Sequence, residues 1–496
     1  MVQVEADISS GLPSFDMVGY LGAEVREARE RVRTALRNSG YLIPPSRITV
    51  NLSPADLRKQ GNGFDLPIAV ALLTASGYVT EEQTRGTLFA GELSLDGSLK
   101  GINGVLSLVS CGAENGMRRA VVPVENGREA AIPPGIQAFC CPSLRDVVDF
   151  LHNPQGRDPV PGDEELGVLQ ESVEGEDFAD VNGQEMVKRA TEVAAAGMHN
   201  ILYIGPPGSG KTMVARRIPS ILPPLTLEES MELTKVYSVA ALLPEGQGLL
   251  NRRPFRSPHH TISASALAGG GRIPAPGEVS LADKGVLFLD ELPEFHRMAL
   301  EILRQPLEDK RIVISRVHGT YTFPADFQLV CAMNPCRCGW YPDRSRCRCT
   351  ETDIRRYLGR ISKPLLDRID ICVEAPRVEY RDLIQRKKGE SSAAIGSRVV
   401  RAMEIQKKRY EGEPILFNSQ LGGNKVREFC RLDREGSKLM ERVFAQMELS
   451  ARAHDKILKV ARTIADLEGS REILPVHLAE AVGYREMDRK YWGGDV

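Results

Sequence analysis

The stretch Ile201-Leu-Tyr-Ile-Gly-Pro-Pro-Gly-Ser-Gly-Lys-Thr-Met-Val-Ala-Arg-Arg217 decides how this chain folds. Four apolar residues come first, then the loop Gly205, Pro206, Pro207, Gly208, Ser209 and Gly210, then Lys211 and Thr212 at the head of a helical run. This fits G-x-x-x-x-G-K-[ST] in the strand–loop–helix setting that a phosphate-binding loop requires. Glycines let backbone amides wrap phosphates without a Cβ in the way. Lys211 is placed to reach the β and γ phosphates, and Thr212 to ligate Mg²⁺. A chance glycine turn would lack both flanking elements. ATP and Mg²⁺ are therefore the expected ligands, on an α/β fold.

Working outward, Gly285-Val-Leu-Phe-Leu-Asp290-Glu291 is a buried strand ending in two carboxylates. Asp290 suits the Mg²⁺ shell, and Glu291 suits activation of the attacking water. A further strand ends at Asn334, a polar group able to orient that water; alone it would read as a turn residue. Lys363-Pro-Leu-Leu-Asp-Arg368-Ile-Asp370 places an arginine just before the last core strand. Arg368 can act as a finger on a neighbouring subunit's nucleotide, or form a surface salt bridge to a neighbouring Asp. Ser450-Ala-Arg452-Ala opens a later helix. Arg452 can touch the γ-phosphate from above, or stand as an exposed helix arginine.

The chain has 496 residues, 42% hydrophobic and 26% charged, with a formal net charge of −2. That is soluble-protein composition on a chain long enough for several domains. It is no polycation, so any nucleic-acid contact must come from local basic patches. The longest charge-free apolar run, near Leu66–Val79, is shorter than the ~20 residues of a membrane span. The start, MVQVEADISS, lacks the basic-then-apolar pattern of a signal peptide. Ten cysteines, four of them clustered, suit intracellular thiols and a metal site better than disulfides, which points to a cytoplasmic protein.

Residues 1–153 alternate strand-like runs (Arg47–Leu52, Arg119–Val124) with helical ones (Ala23–Ser39, Leu66–Gly77), an α/β domain. Residues 154–178 are Pro-, Gly- and acid-rich and read as a linker. Residues 179–385 carry short apolar strands at Ile201–Ile204, Val286–Leu289, Gln328–Cys331 and Ile371–Val373, as in a parallel sheet buried on both faces. Residues 386–496 turn to helical periodicity at Ile395–Tyr410, Gly436–Leu449, Ala453–Leu467 and Val476–Tyr484, a helical lid.

This order of motifs resembles the YifB/ComM family of magnesium-chelatase-like AAA+ ATPases over nearly the whole chain. Arg256-Ser-Pro-His-His-Thr261, Gly269-Gly-Gly-Arg-Ile, Pro276-Gly-Glu-Val-Ser-Leu-Ala and Pro364-Leu-Leu-Asp-Arg-Ile-Asp carry the resemblance. It implies a hexameric, DNA-binding motor that promotes branch migration during natural transformation. The wider magnesium-chelatase group implies the finger role of Arg368 and the lid-sensor role of Arg452. Family members carry a further strand ahead of a start such as Val2-Gln-Val-Glu, so the first domain is expected to be trimmed or to begin upstream of Met1. That domain resembles the proteolytic domain of Lon, through Gly91-Glu-Leu-Ser-Leu-Asp-Gly and Val122-Pro-Val-Glu-Asn. Gly63 stands where Lon's serine would be and Leu106 where its lysine would be. The catalytic dyad is missing, and an assembly or DNA-contact platform is expected in its place.

Cys336, Cys338, Cys347 and Cys349 form a C-x-C…C-x-C array, read as a Zn²⁺ site or as free or redox-active thiols. Arg337, Arg344, Arg346 and Arg348 sit among them with Trp340 and Tyr341. Such a loop suits phosphate contact and base stacking, or pairing with acids on a neighbouring subunit. An insert around 240–280 holds Arg252, Arg253, Arg256, His259, His260 and Arg272. The hairpin-like Lys310–Phe323 is a second candidate for lining a ring's pore. The adjacent His259 and His260 cap turns, pack, or serve function; metal ligation does not fit them. Two alternatives to a DNA translocase remain: a magnesium-chelatase-like motor subunit, and a nucleotide-gated scaffold that remodels a protein.

Overall fold

The structure, a computed structural model, describes residues 1–162, 176–244, 248–271, 274–316, 319–377 and 389–492. They fall into two compact units. The first draws on Met1–Gln170, Leu227–Asn251 and Arg316–Gly319, the second on Glu171–Thr226, Arg252–Ser315 and Thr320–Val496.

In the first unit, β1 (Gln3–Ser9), β2 (Ser14–Val18) and β3 (Arg47–Ser53) form a sheet in the order β1-β3-β2, with β1 antiparallel and β2 parallel to β3. The inward residues Ile48, Val50 and Leu52 pack on helices α1 (Ala23–Asn38) and α2 (Asp65–Ala75). β4 (Thr87–Phe89), β5 (Arg119–Val122) and β6 (Gln137–Cys140) form a second, parallel sheet flanked by α3 (Val105–Glu114) and α4 (Leu144–His152). At Gly63 a Cβ would lie 2.8 Å from Ile102 Cδ1, the movable end of a half-buried side chain. Leu106 is fully buried in α3.

Two stretches sit differently from the expected boundaries. Residues after 153 still pack on the first unit, where Val160 N donates to Ala138 O at 2.8 Å and Arg157 pairs with Asp146 at 3.0 Å. Most of the expected linker, 163–175, lies outside the described residues. The helix Leu227–Val239, expected in the second domain, belongs to the first unit. Its Ser238 hydroxyl accepts from Gly104 N at 2.9 Å and donates to the buried Glu129 carboxylate, which also takes Leu106 N at 2.8 Å. A buried carboxylate must be hydrogen-bonded, and Ser238 supplies part of that.

In the second unit the strands β7 (Ile201–Ile204), β8 (Phe255–Arg256), β9 (Val286–Leu289), β10 (Gln328–Met333) and β11 (Ile371–Glu374) form one parallel sheet in the order β8-β9-β10-β7-β11. Successive side chains point to opposite faces, and both faces are apolar because both are covered. Ile201, Tyr203, Phe288 and Val330 face a core shared with α5 (Glu185–Gly197), α8 (Ser392–Arg409) and α10 (Ala451–Leu467). Leu202, Ile204, Leu287 and Leu329 face the other. The C-terminal stretch is helical, as its periodicity predicts: α8, α9 (Arg434–Met447), α10 and α11 (Pro475–Gly483). The residues 311–316 and 319–324 pair as a two-stranded hairpin.

Candidate nucleotide site

In a parallel α/β sheet, ligands bind beyond the carboxyl ends of the strands. Here β7 runs into the glycine loop, β9 ends at Asp290 and β10 ends at Asn334. Gly205 has to be glycine, because a Cβ there would meet Ala375 O at 2.1 Å. Gly208 and Gly210 hold φ of +74° and +82°, a region that L side chains rarely enter. Helix α6 (Lys211–Arg217) starts directly behind the loop, so its free amides and positive dipole end face it.

The expected site residues meet in pairs. Lys211 Nζ donates to Gly205 O at 2.8 Å, to Pro206 O at 2.9 Å and to Asn334 Oδ1 at 3.3 Å. Burial pulls the Lys211 ammonium down to about 8, against an opposing pull from Asp290. Thr212 Oγ1 donates to Asp290 Oδ2 at 2.7 Å. Glu291 sits at φ +54°, a left-handed conformation unusual for a non-glycine residue and often found at functional positions. Its carboxylate lies 3.2 Å from His260 Nδ1. His260 also packs against His259, with ring centroids 4.0 Å apart. The sequence left His260 undecided. No sequence signal places it: its loop follows β8, and only the pairing of β8 with β9 brings it beside Glu291.

Arg368 stands at the turn before β11, and Arg452 reaches that turn from α10. The Arg368 guanidinium donates to Pro364 O at 2.5 Å and to the Glu308 carboxylate. Its acid partner is therefore Glu308, a residue that the sequence reading did not single out. Arg452 opens α10 and lies 3.6 Å from Asp367, the residue before Arg368.

The four clustered thiols converge, with all four Sγ atoms within 4.8 Å of one another. The Sγ distances are 3.4 Å for Cys336–Cys338, 3.6 Å for Cys338–Cys347 and 3.8 Å for Cys336–Cys347. Tetrahedral Zn–S bonds of ~2.3 Å separate sulfurs by about 3.8 Å, so the donor set fits zinc. Burial opposes ionisation of Cys338, but the Trp340 amide and the neighbouring thiols outweigh it and hold that thiol at about 6. Burial pushes Cys347 up to about 12. This loop also touches the nucleotide loop: Gly339, at φ +80°, lies so close that a Cβ would be 2.4 Å from Pro207 Cδ.

All four loop arginines are exposed. Arg344 stacks over Tyr341 and pairs with Glu351; Arg346 stacks over Trp340 and lies 3.7 Å from Asp343. The aromatic faces expected to stack bases are thus covered by arginines here. In the insert, Arg253 donates to Pro223 O at 2.7 Å and Arg256 pairs with Glu278 at 2.7 Å, so both brace the fold. Arg272 lies outside the described residues. No described helix is long and apolar enough to cross a membrane.

Comparison with known proteins agrees with this architecture. The model of magnesium chelatase subunit ChlI matches residues 177–383, that of subunit ChlI of Mg-chelatase residues 4–126, and that of the ChlI C-terminal region residues 389–485. The YifB protein of Salmonella typhimurium is 44% identical over 490 residues, covering 98% of this chain and 94% of that protein. Competence protein ComM of Haemophilus influenzae is 42% identical over 500 residues, covering 99% and 95%. Lon protease 2 of Bacillus subtilis is 30% identical over 236 residues, 41% of each chain. With three ChlI models in register and two relatives matched almost end to end, this chain belongs to the YifB/ComM family of magnesium-chelatase-like AAA+ proteins.

Proposed function

We propose that this protein is an ATP-driven motor acting on DNA, a homo-hexameric translocase that promotes branch migration in the cytoplasm. The observation that carries the reading is the pairing of Lys211 with Asn334 and of Thr212 with Asp290 beyond the carboxyl ends of the central strands. The loop Gly205, Pro206, Pro207, Gly208, Ser209 and Gly210, through the backbone N–H groups of its non-proline residues, and the Lys211 ammonium would hold the ATP phosphates. Thr212 and Asp290 would hold Mg²⁺, which when bound neutralises charge on the β and γ phosphates. Glu291 would take the proton of the attacking water, and Asn334 would orient that water. Arg368 would reach a neighbour's γ-phosphate, a contact worth ~10³–10⁵ in rate. Arg452, beside Asp367, would touch the γ-phosphate from above as a lid sensor.

Cys336, Cys338, Cys347 and Cys349 would bind one Zn²⁺ and hold the loop that offers Arg337, Arg344, Arg346 and Arg348 to DNA phosphates. Similarity to a protein named for competence supports a DNA partner. The basic, two-stranded hairpin around Arg311 and Arg316 is a second contact. The test is ATP turnover with and without DNA. Forked or branched DNA should stimulate hydrolysis more than blunt duplex, Lys211→Ala should abolish ATP binding, and Glu291→Gln should bind ATP without hydrolysing it. An ATPase indifferent to every DNA would transfer the reading to a chelatase-type motor or a protein remodeller. The 25% identity over 209 residues to the magnesium-chelatase 67 kDa subunit of Chlorobaculum parvum keeps the former in view.

A further inference from the structure

The turn that carries Arg368 is held by α10 together with Arg485 and Asn200. Along α10, Arg452, Lys456 and Thr463 recur at i, i+4 and i+11, which places them on one face. That face meets residues 366–370. Lys456 Nζ donates to Ile369 O at 2.8 Å and to Leu366 O at 3.4 Å, so one ammonium spans the carbonyls on either side of Asp367 and Arg368. Arg485 donates to the same Ile369 O at 2.8 Å, and Asn200 donates to Arg368 O at 2.8 Å. Thr463 completes the line through His199, 2.8 Å from its hydroxyl, whose other ring nitrogen lies 3.4 Å from the Asp370 carboxylate.

Lys456 is 7% exposed. A buried ammonium is costly unless its donors are satisfied, and a lysine in such a place needs a reason. The charged groups around it are Asp370, Arg485 and Asp367. None is a bonded partner of its Nζ; its bonds go to the backbone of the Arg368 turn. The short helix α7 (Lys363–Leu366) ends at that turn, where Lys363 O, Leu365 O and Leu366 O already accept from Asp367 N, Arg368 N and Ile369 N. Lys456 adds a second donor to Leu366 O and ties it to Ile369 O, which braces the backbone from which Arg368 leaves.

We infer that Lys456 is a positioning residue for Arg368, so that helix α10 of one subunit sets the finger offered to the next. The inference rests on the reading of Arg368 as a finger acting across subunits. Arg368 would touch the reacting phosphate; Lys456 acts only through it. The Arg368–Glu308 pair is then the parked position of a guanidinium whose turn stays fixed while its side chain swings to a neighbouring nucleotide.

The experiment mixes subunits. Lys456→Met keeps the apolar stem and removes the donors; Lys456→Arg keeps a cation. Rings of Lys456→Met alone should bind ATP within about twofold of the parent and lose at least tenfold in kcat with little change in KM. Adding Lys211→Ala subunits, which cannot bind ATP but carry an intact finger, should restore turnover to Lys456→Met as it does to Arg368→Ala. Lys456→Arg should recover much of the parental kcat. A defect confined to the lid's own site would not be rescued by Lys211→Ala subunits, and that result, or a parental kcat in Lys456→Met, overturns the positioning role. If Arg368→Ala itself keeps the parental kcat, the finger reading falls and the positioning role with it. If Arg368→Ala is rescued and Lys456→Met is not, only the positioning role falls.

Discussion

His260 Nδ1 stands 3.2 Å from Glu291 Oε2, and Glu291 itself is held at φ +54°. An imidazole is thus the side-chain partner of the carboxylate proposed as the general base. A base must be aimed at its proton before its basicity matters. His260→Ala should therefore lower kcat about tenfold, roughly 1.4 kcal/mol of barrier, with ATP affinity unchanged. Single-turnover hydrolysis together with equilibrium binding of a slowly hydrolysed analogue checks this. An unaltered single-turnover rate would separate His260 from the reaction.

Lys211 links nucleotide binding to pH. Its ammonium titrates near 8 in the free site because burial penalises its charge. A bound triphosphate favours the charged form and raises that value. Below pH 8 the lysine is already charged and binding exchanges little. Above it, binding must take up a proton, so ATP affinity falls as pH rises through about 8. Calorimetry in buffers of different ionisation enthalpy should show proton uptake at pH 9 and little at pH 7. Uptake that is the same at both would contradict this.

The thiol loop and the nucleotide loop share the contact between Gly339 and Pro207. One zinc per chain is expected by elemental analysis, and none in Cys336→Ser/Cys338→Ser. Removing it with a chelator should loosen the turn at Gly339 and weaken ATP binding several-fold. A metal-free parent with freely titratable thiols would return the cluster to the reading as ordinary thiols.

Gly205→Ala should abolish ATP binding while zinc content is retained. The added methyl would sit 2.1 Å from Ala375 O, a backbone atom with no rotamer to change, so the loop must move. Retained ATP binding would show that the loop tolerates the displacement.

Replacing Arg344, Arg346 and Arg348 by Ala should weaken DNA binding about equally across sequences. Each lost phosphate contact removes ~0.9 from the slope of log affinity against log salt. Fluorescence anisotropy at several salt concentrations measures it. A slope like the parent's would mean that these arginines serve their own loop, where Arg344 already meets Glu351 and Tyr341.

The sequence by itself determined four of the five strands of the parallel sheet (β8 was not legible in it), the phosphate loop and the thiol array. Each is written in neighbouring residues: four apolar residues make a strand buried on both faces, and adjacent glycines make the cradle. The helices after residue 391 follow from periodicity in the same way. Only the tertiary structure decided which charged groups meet. Arg368 pairs with Glu308, 60 residues away, rather than with a neighbouring Asp. Arg256 is drawn to Glu278 and Arg253 to backbone carbonyls, which takes both from the pool of insert arginines. The helix Leu227–Val239 belongs to the first unit, where its Ser238 hydrogen-bonds the buried Glu129, 109 residues away. A local pattern fixes backbone shape, since its cause lies within a few residues. The partner of a charge is fixed by desolvation and by which segments the fold brings within ~4 Å, and nothing in the neighbouring sequence encodes that.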